Sequence, residues 1–159
     1  MANIKFSSVA ECLISNCIPP VVQGLEYRSE TFLPGDFVYS ASGYIKICGS
    51  DPAVILGVAR TKANAGVSDG LYKCEITPAI ESVLFMMSVY HSTAGNNLIE
   101  LTDLYAEYGI AKNAAGKWVV DKTDTSATRV KIIKFVDPIG TVAGLVLVKV
   151  LVANRQLAG

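Results

Sequence analysis

Turn-forming residues break this chain so often that no helix of ordinary length fits between the breaks. They cluster at Pro19-Pro20, Leu33-Pro34-Gly35-Asp36, Ser42-Gly43, Ser50-Asp51-Pro52, Ser68-Asp69-Gly70, Ala94-Gly95-Asn96-Asn97, Ala115-Gly116 and Asp137-Pro138-Ile139-Gly140. β-prone runs fill the intervals at 36–40, 44–48, 53–60, 71–77, 83–91, 108–111, 117–121, 128–136 and 141–153. Short strands at this spacing predict an all-β fold, a compact β-barrel or β-sandwich of roughly 8–10 short strands, rather than alternating β and α units.

Helix signals are few. Residues 8–17 (SVAECLISNC) could form a short helix, and 102–105 a single turn capped by Thr102, so one or two short helical turns are the most the class admits. Residues 1–30 lack strand-like alternation and carry two consecutive prolines, which predicts an extended N-terminal arm on a single β domain spanning 31–159. No internal repeat, low-complexity segment or linker is legible. A chain of 159 residues buries about two-thirds of its unfolded surface, enough for one sizeable core.

Alternation within the strands carries a second constraint. In 83–89 one face reads Val83, Phe85, Met87, Val89 and the other Leu84, Met86, Ser88. In the last strand Val146, Val148, Val150 and Val152 oppose Leu145, Leu147, Lys149 and Leu151. A strand covered on one side only should be polar on its outer face, and these are not. The arm, a second layer or another subunit must cover the second face. In 128–136 the apolar register changes from Val130 and Ile132 to Ile133 and Phe135, the mark of a β-bulge.

Composition excludes some classes of function. Acidic and basic residues balance at 14 each and only 18% of residues are charged. That argues against a general binder of nucleic acid or anionic membrane, and leaves little repulsion between copies, which favours a homo-oligomer or larger assembly. The most apolar stretch, 142–153, is far shorter than the roughly 20 residues of a membrane helix. The N-terminal segment has one early positive charge, Lys5, and no long apolar run, so no signal peptide is read.

No constellation for catalysis emerges. Cys12, Cys17, Cys48 and Cys74 contain no CxxC pair and read as small buried hydrophobes, with no disulfide pairing selected and no metal or cofactor expected. His91 ends a strand-like run without a nucleophile elbow, and no carboxylate pair stands out. Gly116-Lys117 lacks the spacing and the following Ser or Thr of a phosphate loop, and Asn113–Gly116 reads as a hairpin loop whose glycine supplies a positive φ. Arg129, Lys131 and Lys134 lie near Phe135, but Asp121, Asp124 and Asp137 intervene, so a solvated strand face is the better reading.

A resemblance rests on Phe32-Leu33-Pro34-Gly35-Asp36-Phe37-Val38, Ile55-Leu56-Gly57-Val58-Ala59, Thr102-Asp103-Leu104, Tyr108-Gly109-Ile110, Gly116-Lys117-Trp118-Val119-Val120-Asp121, Arg129-Val130-Lys131-Ile132 and Phe135-Val136-Asp137. Over about residues 32–153 this pattern resembles the small β-rich decoration (cement, or auxiliary capsid) proteins of tailed bacteriophages. The resemblance implies a non-enzymatic viral structural protein, made in the host cytoplasm and placed on the virion, that binds the major capsid protein on the outer shell as an oligomer and stabilises it. Candidate partner contacts are Ile4, Phe6, Leu13, Ile14, Pro19 and Pro20 in the arm, and Leu145, Leu147 and Leu151 on the second face of the last strand. The alternative is a glycan- or receptor-binding module on the same particle, with Tyr39, Tyr44, Tyr72 and Tyr90 as sugar platforms.

Overall fold

A computed structural model describes the backbone of Ala10–Cys12 and residues 19–157. It is almost entirely β, with eleven strands and two 3-10 turns among the described residues. In chain order the strands are β1 (Ala10–Cys12), β2 (Val22–Glu26), β3 (Phe37–Ala41), β4 (Tyr44–Ile47), β5 (Gly57–Ala59), β6 (Lys73–Pro78), β7 (Val83–Tyr90), β8 (Glu107–Lys112), β9 (Trp118–Asp121), β10 (Val130–Phe135) and β11 (Leu145–Val150).

These strands close two five-stranded barrels, β2–β6 and β7–β11, and the barrels share one topology. In each, the first strand pairs in parallel with the third, which returns to the second through a hairpin. The second pairs with the fourth, the fourth with the fifth, and the fifth closes on the first, all antiparallel. The fold therefore contains an internal repeat that the residues themselves do not show. Hairpin geometry is one reason: β3 and β4 are joined tightly through Ser42 (φ 52°) and Gly43 (φ 84°), whereas β8 and β9 are joined by a wider loop ending at Gly116 (φ 72°). In that wider loop Asn113 Oδ1 accepts from the amides of Ala115 and Lys117, both at 3.0 Å. The loop is a hairpin turn, as its sequence implies.

Two expectations are corrected. Val22–Glu26 is not part of an arm but the first strand of the first barrel: it pairs with β6 over Val22–Leu25 and with β4 at Leu25 and Glu26, and Glu26 is buried. Ala10–Cys12 is not helical but a strand antiparallel to β7, in register Ala10 with Phe85. The turn near residue 102 is present at Leu101–Asp103, although its N-cap is Glu100 rather than Thr102, with the Asp103 side chain accepting from the Glu100 amide at 2.8 Å. The expected bulge in β10 lies between Ile132 and Lys134.

Apolarity on two faces has a physical source in the first barrel. Val38, Ile45, Leu56, Cys74 and Ile76 fill its interior, while Phe37, Ile55 and Val58 turn outward and join the second barrel's core with Phe85, Met87, Trp118, Val146 and Val148. Phe37 meets both Phe85 (centroids 5.6 Å apart) and Trp118 (5.3 Å) edge to face, geometry that adds about 1 kcal/mol per pair beyond area. Polar ties follow the same seam. Asp36 is buried, accepting from Trp118 Nε1 at 3.0 Å and from the Leu33 amide at 2.8 Å, and Lys112 Nζ lies 2.7 Å from it.

Each barrel also covers an edge of the other. In the β4–β5 loop the Asp51 amide donates to the Ile110 carbonyl of β8 (3.2 Å), and Asp51 Oδ1 accepts from the Ile110 amide (3.1 Å). At the far end of the chain, Gln156 donates to and accepts from the backbone of Ser40 in β3 (2.5 and 2.6 Å), and its amide donates to Ile55 (2.9 Å). The two barrels form one body with interlocked edges.

Candidate functional site

Each barrel carries a loop end at its surface, and the two are built alike. In the first barrel the β2–β3 and β5–β6 loops are joined by backbone bonds from Ser29 to Gly66 (2.8 Å) and from Ala63 to Phe32 (2.9 Å). In the second, the β7–β8 and β10–β11 loops are joined through Ile99 and Thr141 (3.1 Å), Gly140 and Ile99 (2.8 Å), and Ala143 and Asn97 (2.8 Å). A buried carboxylate anchors each end. Glu26 accepts from the Asn64 amide (2.8 Å) and Nδ2 (2.9 Å), and Asp103 accepts from Tyr108 OH (2.7 Å) and lies 2.9 Å from Lys122 Nζ.

The bonds to Asp103 favour a charged Lys122 and a neutral Tyr108. Burial alone would lower the Lys122 pKa, but hydrogen bonds to Asp103 and Glu100 outweigh it and hold the ammonium above its ordinary value. Burial first, and then the bond to Asp103, pushes the Tyr108 phenol upward. Both groups stay in their neutral-pH states, so the network serves as a scaffold.

These scaffolded loops display apolar side chains to solvent. In the first barrel Val67 is 87% exposed, with Leu33, Leu71 and Tyr72 also exposed. In the second, Val142 is 68% and Ile139 56% exposed, beside exposed Leu101, Tyr105 and Val136. An unordered loop would lose most of the gain from burying such residues to the entropy of fixing it. Here the loop backbone is already fixed by cross-loop bonds, so these residues are suited to docking. The sequence signal for them is an apolar residue inside a turn cluster, as in Pro138-Ile139-Gly140 and Gly66-Val67-Ser68, where polar residues are the norm.

The contact residues read from sequence fall differently. Ile4, Phe6, Leu13 and Ile14 lie outside the described residues. Pro19, Pro20, Leu145 and Leu151 are half-buried, and Leu147 is only 3% exposed, so Leu147 has almost no surface left to bury against a partner. Of the four tyrosines, Tyr39 packs on the shared core, Tyr44 is half-buried beside Tyr27 with ring centroids 6.4 Å apart, and Tyr72 and Tyr90 are exposed. Tyr39 and Tyr44 lie in β3 and β4, Tyr72 in the loop before β6, and Tyr90 at the end of β7 in the second barrel.

Groups with chemical potential are held in local structure. His91 Nδ1 accepts from the Thr93 amide at 2.9 Å on an exposed turn. Cys48 and Cys74 are free and buried. Burial, followed by the Asp36 charge, pushes the Cys48 thiol up to about 12. Burial, followed by Glu26, pushes Cys74 up to about 11. Thiols so shifted are poor nucleophiles at neutral pH. Among the described residues no group of three or more His, Cys, Asp or Glu could hold a metal ion. No protein-family model and no curated protein matches the chain.

Proposed function

We propose that this chain is a non-enzymatic capsid decoration protein that binds the outer surface of a phage shell and stabilises it. The observation that carries the reading is the display of apolar side chains on two equivalent, internally braced loop ends. A rigid body with two such patches has the means to bridge neighbouring subunits of a lattice, where repetition multiplies modest contacts of about 1,600 Å² or less into firm attachment. The turn-and-strand resemblance supplies the identity of the lattice, and the chain's zero net charge suits a crowded surface. The partner in this reading is the major capsid protein, with further copies of the chain as neighbours.

Purified heads stripped of the protein and then supplied with it provide the test. Re-addition is expected to restore resistance to heat and chelator. An Ile139→Asp, Val142→Asp double variant with unchanged melting temperature is expected to occupy far fewer sites. Heads equally stable with and without the protein would overturn the reading. Removal of residues 2–20 tests the arm separately, with reduced occupancy expected.

The glycan-binding reading is weaker, because Tyr39 packs against the core and Tyr44 is half-buried, which leaves them less surface to offer a sugar. Binding on a glycan array at micromolar protein would revive it.

A further inference from the structure

We propose that a small basic pocket of the second barrel, between β10, β11 and the 3-10 turn Val152–Asn154, binds a dianionic phosphate group. Lys131, Lys149 and Arg155 are its cations, and Glu81 is an internal competitor for them. Strand register brings the charges together. β10 pairs with β8 on one side and with β11 on the other, so Glu107, Lys131 and Lys149 stand at one level on three successive strands. Residues directly opposite share a face of the sheet, and Lys131 opposite Lys149 is a like-charge pair, which costs stability. Glu107 Oε1 compensates Lys131 at 2.8 Å.

Beyond β11 the turn at Val152–Asn154 brings a third cation into the same pocket. The Arg155 side chain is only 6% exposed, and its Nε donates to the Val150 carbonyl at 2.9 Å, so the guanidinium is oriented before any ligand arrives. Glu81, in the β6–β7 loop, serves both remaining cations: its Oε2 accepts from Arg155 Nη1 at 2.5 Å and its Oε1 from Lys149 Nζ. Among the described residues, no other carboxylate pairs with either. Burial first, and then the Arg155 charge, holds the Lys149 pKa below its ordinary value, and burial lowers that of Arg155. Both charges are held at a cost that a stronger counter-ion would offset.

Size and charge select the ligand. The pocket has a volume of about 150 Å³, lined by the four charged side chains and the chain from Val150 to Val152. That is well below the roughly 300 Å³ at which sites for drug-sized molecules begin, and it suits a single phosphate group. The Glu81 side chain is 69% exposed, so its ion pairs are of the kind that yield at little cost. With Glu81 turned away, three cations and Glu107 remain, an excess of two positive charges. A phosphate monoester carries about two negative charges at neutral pH, whereas a carboxylate ligand would leave one cation unmatched. Residues 1–9 and 13–18 contain no Asp or Glu, so by any path they bring no side-chain carboxylate to the pocket. Glu11 belongs to β1, across β7 from β11. The site is independent of the capsid reading.

Amide NMR of the isotope-labelled full chain, titrated with inorganic phosphate at an ionic strength held constant with chloride, tests the site. Saturable shifts are expected at Glu81, Lys131, Lys149–Val152 and Arg155. Glu81→Gln removes the competitor and is expected to tighten binding about threefold, the effect of one exposed charge. Lys149→Gln is expected to weaken it about tenfold, the effect of one bond to a charged group. Lys131→Gln, on a more exposed side chain, provides a second variant, and each is compared at unchanged melting temperature. Phenyl phosphate, titrated alongside, distinguishes the sources: binding as tight as that of inorganic phosphate supports an esterified group as ligand, and its exclusion supports the free ion. Shifts that do not saturate at tens of millimolar phosphate, acetate bound as tightly as phosphate, weaker binding to Glu81→Gln, or unchanged binding to both lysine variants would each overturn the proposal.

Discussion

Asp36 shows how one side chain can hold two barrels in register. It sits just ahead of β3 in the first barrel, yet its Oδ1 is bound by Trp118 Nε1 and Lys112 Nζ from the second. Asp36→Ala would leave a buried indole donor unpaired and a lysine without its counter-charge, at a cost of about 3 kcal/mol in urea unfolding; Asp36→Asn keeps one acceptor and is expected to cost less. Asp51 behaves in the opposite sense. Burial raises its pKa above 3.8, outweighing the bond from the Ile110 amide, so its folded form prefers the proton. The sign is that of a carboxyl bound more tightly to its proton when folded: this group favours folding increasingly as pH falls through its folded-state pKa, and opposes it at neutral pH. Asp51→Asn, which keeps the acceptor and removes the charge, is expected to be at least as stable as the wild type at pH 7 and to lose this part of the acid response. Denaturation midpoints between pH 7 and 4 measure both.

At the level of elements, what could be read in advance was the strand inventory and not its pairing. β3, β4, β7, β9 and the bulged β10 follow from alternation and turn residues, each a local property. β2 escaped because Val22, Gly24 and Glu26 face inward, and a glycine and a carboxylate do not look like core. Glu26 is buried only because Asn64, far along the chain, donates to it. The exposed loop residues escaped for the converse reason: Ile139 and Val142 look like core by type, and only the cross-loop bonds show that they cannot turn inward. Long-range pairing also explains β5, reduced from an expected eight-residue run to Gly57–Ala59 because residues 50–56 make the loop that reaches β8. Within β5, Gly57 lies against Thr77 O and Pro78 Cα of β6. Gly57→Ala therefore forces those strands apart, with an expected loss of about 2 kcal/mol or more in thermal unfolding, whereas alanine at the open turn position Gly49 should cost far less.

For the whole molecule, the shared core decides how it unfolds. Phe37, Ile55 and Val58 are buried only while the second barrel is present, so neither barrel keeps its core if the other opens. Calorimetry is expected to show one transition with equal calorimetric and van't Hoff enthalpies; two separable transitions would contradict a single cooperative body. The Gln156 clasp on Ser40 has a further consequence in the order of synthesis. Ser40 leaves the ribosome 116 residues before the side chain that covers its edge, so the barrel made first is the last to be finished. Until then its open strand and outward phenylalanine are exposed to a neighbouring nascent chain, so slower translation through the second barrel is expected to lower the yield of native protein, measurable as the soluble fraction at two synthesis rates.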